Sequence, residues 1–307
     1  MPLDNVTPIR PLPDRSPFDR YNTPNSPILF PVGERPVGWR MRTGEYQNTP
    51  NHKAIIRLSH TGDSAVLLNV VGSTYKVVHN RELLTNMEDT ITSLLPADQL
   101  EGVQVKDRAA HYGRVCFREY VFPNIRCRIG GSTRSAIAFR MIVQNGYGGS
   151  ALRIHAGAIE FYCTNGMISG EYSSVYRRHT SGVTLHGIPN VVTKALLQFS
   201  NDAERWKVWA HKPVQHEAAM NLFRSLAVSN KAKDNLMDQY MREQDHRGNS
   251  LWSVYSALTY YASHTDGAFG LRKMVGEQDS EATTMLTREL NVAKWLHTPE
   301  WRALEDA

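Results

Sequence analysis

The chain has 307 residues, of which 41% are hydrophobic and 21% are charged, and its formal net charge at pH 7 is +5. This composition is typical of a globular protein with one large domain or two ordinary ones. No segment carries the ~18 consecutive apolar residues of a membrane span, and the N-terminal segment lacks the apolar run of a signal peptide. We therefore expect neither export nor insertion into a membrane.

The cysteines and histidines argue against a disulfide framework and against a metal site. Cys116, Cys127 and Cys163 are an odd number of thiols without CxxC spacing, which predicts a reducing cytoplasm. The twelve histidines form neither an HExxH nor an HxH motif. A GxxxxGKS/T loop and a GxGxxG motif are both absent from the sequence. We expect no metal ion and no cofactor.

The first 50 residues form a region of distinct composition. They hold ten of the fifteen prolines, together with many Asn, Thr, Asp and Arg residues, and they show no periodicity of a helix or a strand. We predict an extended, flexible Pro-rich arm over residues 1–50. Two interpretations of it stay open: a disordered leader without a role, or an arm that wraps a neighbouring subunit or nucleic acid.

Short apolar runs separated by turn residues begin at Lys53 and predict a β-rich region. KAIIRLS and AVLLNVV, joined by TGDS, are typical of a β-hairpin. The segment that follows Asn80, RELLTNMEDTITSLL, carries its apolar residues on one helical face and ends at Pro96. HYGRVCFREYVFP, NIRCRI and SAIAFRMIVQN then predict three antiparallel strands in succession.

The composition becomes helical after Pro213. Ser250 is placed to cap a helix over LWSVYSALTYYASH, and residues 281–297 form a further helical segment. We therefore predict an α+β fold with an antiparallel β-rich core domain over residues 51–212. A helical C-terminal region over residues 213–307 is expected to pack on this core.

Positive charge is concentrated between residues 101 and 154, where Lys106 and eight arginines oppose three acidic residues. The alternation in HYGRVCFREYVFP places Arg114, Arg118 and Tyr120 on one face, which we expect to be exposed. Arginines beside aromatic rings are typical of proteins that bind single-stranded nucleic acid. The alternative is a solvated sheet face whose arginines pair with acidic C-terminal helices. The predicted nucleic-acid-binding residues are Arg114, Arg118, Tyr120, Arg126, Arg128, Arg140, Arg153 and Arg177.

The segment YGGSALRIHAGAIEFYCTNGMISG contains the residue types of a thiolate site. Cys163 is a candidate nucleophile, His155 and His179 are candidate bases, and Asn165 is a candidate orienting group. Their spacing matches no known catalytic signature. A cysteine that follows two aromatic strand residues is more often a buried small hydrophobe. The sequence therefore leaves enzymatic activity open, with the balance against it.

The same motifs resemble a known family. VVGSTYKVVHNRELL, NGYGGSALRI with FYCTNGM, RRHTSG and LWSVYSALTYYASH occur in the order typical of the phage/plasmid-like family called domain of unknown function 932. The resemblance runs from about residue 53 to about residue 264. It implies carriage on phages, prophages and conjugative plasmids, near recombination or replication genes, and hence the cytoplasm of a bacterial host.

The resemblance supplies no established catalytic residue. This chain has Gly148 where related sequences often carry Asp, which weakens any mechanism that needs a carboxylate there. The invariant polar positions of the family correspond to Asn80, Ser150, Arg153, Cys163, Thr164, Asn165 and His179.

The sequence thus favours a nucleic-acid-binding accessory protein of a mobile element, acting in replication or recombination, with single-stranded DNA as its ligand. One alternative is an enzyme that acts on nucleic acid or a nucleotide, centred on Cys163. The other is a protein-binding factor against host defence or host machinery, which would use the Pro-rich arm and residues 251–264. Besides nucleic acid, the expected partners are a host protein and a second copy of the chain in a homo-oligomer, and no membrane.

Overall fold

The computed structural model describes residues 16–59, 61, 64–129, 136–160, 166–167, 175–177, 179, 187–264 and 280–307. The strands are β1 (Val32–Arg40), β2 (Tyr46–Leu58), β3 (Ala65–Gly72), β4 (Gln104–Ala110), β5 (Val115–Arg128), β6 (Ala136–Gly146), β7 (Leu152–Glu160), β8 (Gly166–Met167) and β9 (Val175–Arg177). The helices are α1 (Asn80–Leu94), α2 (Ala97–Leu100), α3 (Ile188–His211), α4 (His216–Ser225), α5 (Asn230–Arg247), α6 (Leu251–Ser263), α7 (Ser280–Trp295) and α8 (Pro299–Asp306).

The smaller of two antiparallel sheets has the strand order β1–β2–β3. Strands β2 and β3 form the hairpin predicted from KAIIRLS and AVLLNVV, which is confirmed. Strand β3 ends at Gly72, opposite His52 of β2. Among the described residues, β1 and β2 therefore continue past the end of β3 as a two-stranded ribbon over residues 36–51.

The larger sheet has the strand order β4–β5–β6–β7–β8, and β9 also pairs with β7. Its antiparallel course is as predicted, but HYGRVCFREYVFP and NIRCRI form one strand, β5, instead of two. The register of β5 shifts between Phe122 and Arg126, so that Pro123, Asn124 and Ile125 form a bulge and not a turn. The Asn124 amide secures this bulge by donating to the Asp98 carbonyl oxygen at 2.7 Å.

Helices α1 and α3 contribute to the core beneath the larger sheet. The predicted amphipathic helix is confirmed as α1, and its apolar face is buried. Phe139 of β6 meets Phe199 of α3 with their ring centroids 5.5 Å apart. A cluster of large rings then joins α3, α6 and α8, and aromatic side chains of this size dominate core energetics. Its members are Trp206, Trp209, Trp252, Tyr255 and Trp301.

The helical part of the chain begins earlier than predicted. Helix α3 lies inside the predicted core domain of residues 51–212, because its β-branched first turn does not stand out from the preceding strands in sequence. The predicted cap is confirmed, since the Ser250 hydroxyl oxygen accepts from the Ser253 N–H at 3.3 Å. Helix α6 is buried, with Trp252 and Tyr255 3% and 0% exposed. Helix α6 therefore offers little surface to the host protein of the alternative interpretation.

The prediction of a flexible arm is wrong for residues 16–50. Phe18, Ile28 and Leu29 are buried in the core, and residues 32–50 belong largely to β1 and β2. Pro36 lies in β1, an edge strand where proline's missing N–H is tolerated. A high proline content is therefore compatible with an ordered segment here. Residues 1–15 lie outside the described residues.

The architecture confirms the predicted α+β class, with antiparallel sheets in the middle of the chain and helices mostly in its C-terminal half. In the part of the chain that the structure describes, no helix combines the length and the apolar character needed to cross a membrane.

Candidate functional site on the outer face of the larger sheet

The larger sheet has two faces with different neighbours. Side chains along a strand alternate between the faces, and directly paired residues of antiparallel strands share a face. On β5, Arg118 and Tyr120 point to the inner face, which belongs to the main core. Phe117 and Glu119 point to the outer face, where Leu286 of α7 packs.

Arg118 is the centre of a buried polar network on the inner face. Its guanidinium forms a bidentate pair with Asp107 of β4, and both N–O distances are 2.7 Å. It also donates to Glu88 of α1 at 2.7 Å. Short and bidentate hydrogen bonds between ionised groups such as these are stronger than those between neutral groups. The Asn22 side-chain oxygen and the Tyr21 carbonyl oxygen accept the remaining two N–H groups. All five donors of Arg118 therefore have partners within the protein.

The predicted exposed surface is wrong for Arg118 and Tyr120, both of which are 0% exposed. Tyr120 packs edge-on against Phe18 and donates its hydroxyl to Glu88 at 3.0 Å. Alternation in the sequence distinguishes two faces of β5 but does not say which face meets solvent. Around Arg118 both faces of β5 are covered, and the charge of Arg118 is compensated by Glu88 and Asp107.

The outer face surrounds a charged pocket with a volume of about 580 Å³. Its floor is formed by β4, β5, β6 and β7, and α7 with the end of α6 forms its wall. The polar and charged residues that line it are Gln104, Lys106, Arg108, Glu119, Arg140, Ser263 and Glu289.

Arg140 of β6 lies between two carboxylates in this pocket. It contacts Glu119 of β5, and its guanidinium donates to Glu289 of α7 at 2.8 Å. Burial opposes the charged form, but the two carboxylates raise the pKa of Arg140 above its ordinary value. The predicted exposure of Arg140 is wrong, since only 7% of the residue is exposed. The alternative that arginines pair with the C-terminal helices is confirmed for the Arg140–Glu289 pair.

His155 of β7 is buried on the same face, opposite Ile142 of β6. Burial, and then the nearby charges of Arg153 and Arg140, lower the pKa of His155 to about 4. The imidazole is therefore neutral at pH 7. Arg153 lies two residues before His155 on β7, so the two share a face.

The four catalytic candidates are not brought together among the described residues. His179 stacks on Tyr75 with a centroid distance of 5.0 Å, and its Nδ1 lies 3.1 Å from the Lys76 carbonyl oxygen. Burial lowers its pKa below the ordinary value. His155 lies instead on β7, while Cys163 and Asn165 fall outside the described residues. The thiolate site thus stays a prediction.

Asn80, another of the family's polar positions, is buried and hydrogen-bonded within the fold. It is 4% exposed, its amide donates to the Ile28 carbonyl oxygen at 2.8 Å, and its side-chain oxygen accepts from Asn145 at 2.7 Å. It therefore ties the start of α1 to β6 and to the N-terminal segment. In the described part of the chain, no group of three or more His, Cys, Asp or Glu residues is arranged to hold a metal ion.

Arg126 and Arg128 are exposed at the far end of β5, opposite Ala138 and Ala136 of β6. Since Ala138 also pairs with Ile159, which lines the pocket, both arginines belong to the outer face. Lys106 of β4 is exposed on the same face, farther along the sheet and opposite Glu119 of β5. We call the surface that carries these three cations the basic end of the outer face.

The remaining predicted arginines lie elsewhere. Arg114 is exposed before the start of β5, where it donates to the Gly148 carbonyl oxygen at 3.3 Å. Twelve positions of extended chain separate it from Arg126, a span of about 40 Å, so the two do not share a compact site. Arg177 lies in β9, paired with Leu152 of β7.

Sequence reasoning missed Lys106, Arg108 and Glu289 as members of the charged face. Lys106 and Arg108 are two residues apart on β4, so the alternation in QVKDR places both on one face. No local signal linked Glu289 to the sheet, because its contact with Arg140 spans 149 residues.

The comparisons with known proteins identify one family. No curated protein and no solved structure matches the chain. The family model described as "Domain of unknown function (DUF932)" matches residues 67–290, which is more than two-thirds of the chain. The matched residues include the larger sheet and the helices from α1 to most of α7. The chain therefore belongs to the domain of unknown function 932 family.

Proposed function

We propose that this protein binds nucleic acid through the basic end of its outer sheet face. The observation that carries the proposal is the exposure of Arg126 and Arg128 on the same face of β5. Lys106 is exposed on that face as well, farther along the sheet and opposite Glu119. Lysine and arginine side chains that neutralise phosphates supply most of the sequence-independent affinity for nucleic acid. Three exposed cations on one face offer this interaction.

The charge of the adjoining pocket supports the same ligand class. Arg108 and Arg140 add two positive charges, which Glu119 and Glu289 offset. Because these two arginines and two carboxylates cancel, the pocket adds no net negative charge beside the basic end. The basic end therefore keeps its excess of positive charge. Arg108 and Arg140 are held by the protein and are unsuited to be the main contacts for phosphates.

The outer face supports contacts with the backbone and not with bases. Tyr120, which was predicted to bind nucleic acid, and its neighbour Phe122 are both buried on the inner face. Phe117 lies on the outer face but is only 5% exposed and packs in the cluster with Leu286. Binding at the basic end is therefore expected to be insensitive to sequence and strongly dependent on salt.

We further propose that binding serves an accessory role in the replication or recombination of a mobile element, with single-stranded DNA as the ligand. Support for the mobile element comes from the resemblance to a phage/plasmid-like family. Sequence-independent binding suits such a role, because a protein that coats or delivers intermediates must accept any sequence.

Fluorescence anisotropy of labelled single-stranded and duplex oligonucleotides, titrated with protein from low to physiological salt, tests the proposal. The Arg126→Ala/Arg128→Ala variant should bind more weakly at low salt. Its plot of log K against log salt should be shallower by about 1.4 for a single strand, since each phosphate contact contributes about 0.7.

The matched control removes two exposed charges from a helix. Lys231→Ala/Arg242→Ala on α5 lowers the net charge equally, so it should leave both affinity and slope near those of the unmodified protein. Equal losses of affinity in the two variants would mean that the effect comes from net charge and not from the position of the arginines. An absence of binding at low salt would overturn the proposed function.

A further inference from the structure

The ribbon formed by β1 and β2 over residues 36–51 is a second surface with unusual exposure. Its tip is a tight loop in which the Met41 N–H donates to the Glu45 carbonyl oxygen at 2.7 Å and Gly44 has a φ of +90°. The strands approach closely at Gly38, where a Cβ would lie 2.1 Å from the Gln47 carbonyl oxygen. The ribbon is thus a defined hairpin, with glycine at the two positions that need it.

Large side chains at the tip are exposed to solvent. Trp39, Met41 and Tyr46 are 50%, 42% and 60% exposed. Isolated two-stranded hairpins are marginally stable in water, and exposed apolar groups of this size gain nothing for the fold. An aromatic tip of this kind therefore fits a surface that contacts a ligand.

The charge of the ribbon indicates the chemistry of that ligand. Arg40 and Arg42 are exposed, against the single acidic residue Glu45 within residues 36–51. Arg40 is paired directly with Tyr46 across the strands, so a guanidinium and a ring share one side of the ribbon. Cations beside exposed rings are the combination that holds phosphates and stacks bases in single-strand binders.

The two rings lie on opposite sides of the ribbon, because Trp39 pairs with Gln47 while Tyr46 pairs with Arg40 at the next position. A ribbon that lies flat in a duplex groove or on a protein surface buries one side only. A flexible single strand can pass around the tip and stack a base on each ring.

We infer that the ribbon is a second nucleic-acid contact, which stacks unpaired bases on Trp39 and Tyr46 and holds the strand backbone with its arginines. This inference rests on the proposed function and adds to it a preference for single strands, which the basic end of the outer face does not supply. The ribbon lies outside residues 67–290, the part of the chain that matches the family model. It is therefore a feature of this chain beyond the shared domain.

The first test compares oligo(dT) binding by Trp39→Ala/Tyr46→Ala and by Trp39→Phe/Tyr46→Phe, each checked for an unchanged melting temperature. Loss of both rings should weaken single-strand binding at least about tenfold, because stacking contributes about 1–3 kcal/mol per base. The phenylalanine variant keeps both rings and should retain most of the affinity. Duplex binding should change little in either variant.

The second test uses the exposure of Trp39, which exceeds that of the other five tryptophans. Saturating oligo(dT) should protect the unmodified protein from quenching by acrylamide, and the protection should disappear in Trp39→Phe. Unchanged single-strand affinity in the alanine variant would overturn the inference, as would quenching that oligo(dT) does not alter. Greater weakening of duplex than of single-strand binding would overturn it in favour of groove binding.

The outcomes separate the inference from the proposed function. If the ribbon variant binds normally and Arg126→Ala/Arg128→Ala loses binding, only the inference fails. If the ribbon variant loses binding and the arginine variant does not, the basic end fails as the site and the ribbon stands. If the unmodified protein binds no nucleic acid at low salt, both fail.

Discussion

The inner and outer faces of the larger sheet use arginine in opposite ways. On the inner face, Arg118 is fully buried and its five N–H groups all have partners on β4, on α1 and in the N-terminal segment. On the outer face of the same strand, Arg126 and Arg128 are exposed. A run of arginines along a strand therefore combines residues that hold the fold together with residues that are available to a ligand. The side chains opposite each arginine decide between the two roles.

The largest expected effect is at Arg118. Arg118→Ala leaves the carboxylates of Glu88 and Asp107 buried without their cation and should reduce the free energy of unfolding by about 3–5 kcal/mol. Denaturation by urea, followed by circular dichroism, measures this loss. A loss below about 1 kcal/mol would mean that the network does not hold the inner face together.

Arg118→Lys sharpens the same comparison. Lysine keeps the positive charge but cannot form the bidentate pair with Asp107 or supply five donors. Its stability should fall between those of the unmodified protein and the alanine variant. Equal stability of the lysine variant and the unmodified protein would show that charge alone matters at this position.

Much of the fold was predictable because local patterns determine it. The β2–β3 hairpin, helix α1 and the Ser250 cap each depend on residues close in sequence. The antiparallel class follows from successive short apolar runs. Helix α3 was missed because its first turn, with Val191 and Val192, has the β-branched character of the strands before it.

The charged site was predictable only in part, since burial depends on contacts between distant segments. The alternation in NIRCRI correctly placed Arg126 and Arg128 on the exposed side of β5. The alternation around Arg118 was equally regular, but its partners Asn22 and Glu88 lie 96 and 30 residues away. No pattern within the strand distinguishes a solvated arginine from one that meets such partners.

The next effect concerns pH and the buried His155 on the outer face. Its pKa is about 4 in the folded protein, where burial, Arg153 and Arg140 disfavour the proton, against 6.5 for an ordinary histidine. The unfolded chain binds the proton more readily, so stability is lost as the pH falls below 6.5. The loss amounts to about 2 kcal/mol at pH 5.

His155→Gln isolates this contribution from other titrating groups. His179, whose pKa burial lowers, and Glu289, whose pKa burial raises, titrate in both proteins and cancel in the difference. The stability of the unmodified protein relative to the variant should fall by about 2 kcal/mol between pH 7 and pH 5. A difference that stays constant over this range would contradict a buried, neutral imidazole.

An effect of comparable size is expected for the link between α7 and the sheet. A double-mutant cycle with Arg140→Met and Glu289→Gln should give a coupling energy of about 1–3 kcal/mol, because both groups are buried and lie 2.8 Å apart. Urea denaturation of the four proteins measures it. A coupling near zero would mean that Glu119 alone compensates Arg140.

The smallest effect on stability is expected at Arg126 and Arg128, although their substitution should weaken the binding of nucleic acid. Arg126→Ala/Arg128→Ala removes two exposed side chains opposite Ala138 and Ala136 and should change the free energy of unfolding by less than about 0.5 kcal/mol per substitution. Urea denaturation should therefore give nearly the curve of the unmodified protein, while anisotropy shows weakened binding of nucleic acid. If stability fell as it does in Arg118→Ala, these arginines would belong to the structure as Arg118 does. The distinction between a structural inner face and a ligand-binding outer face would then be lost.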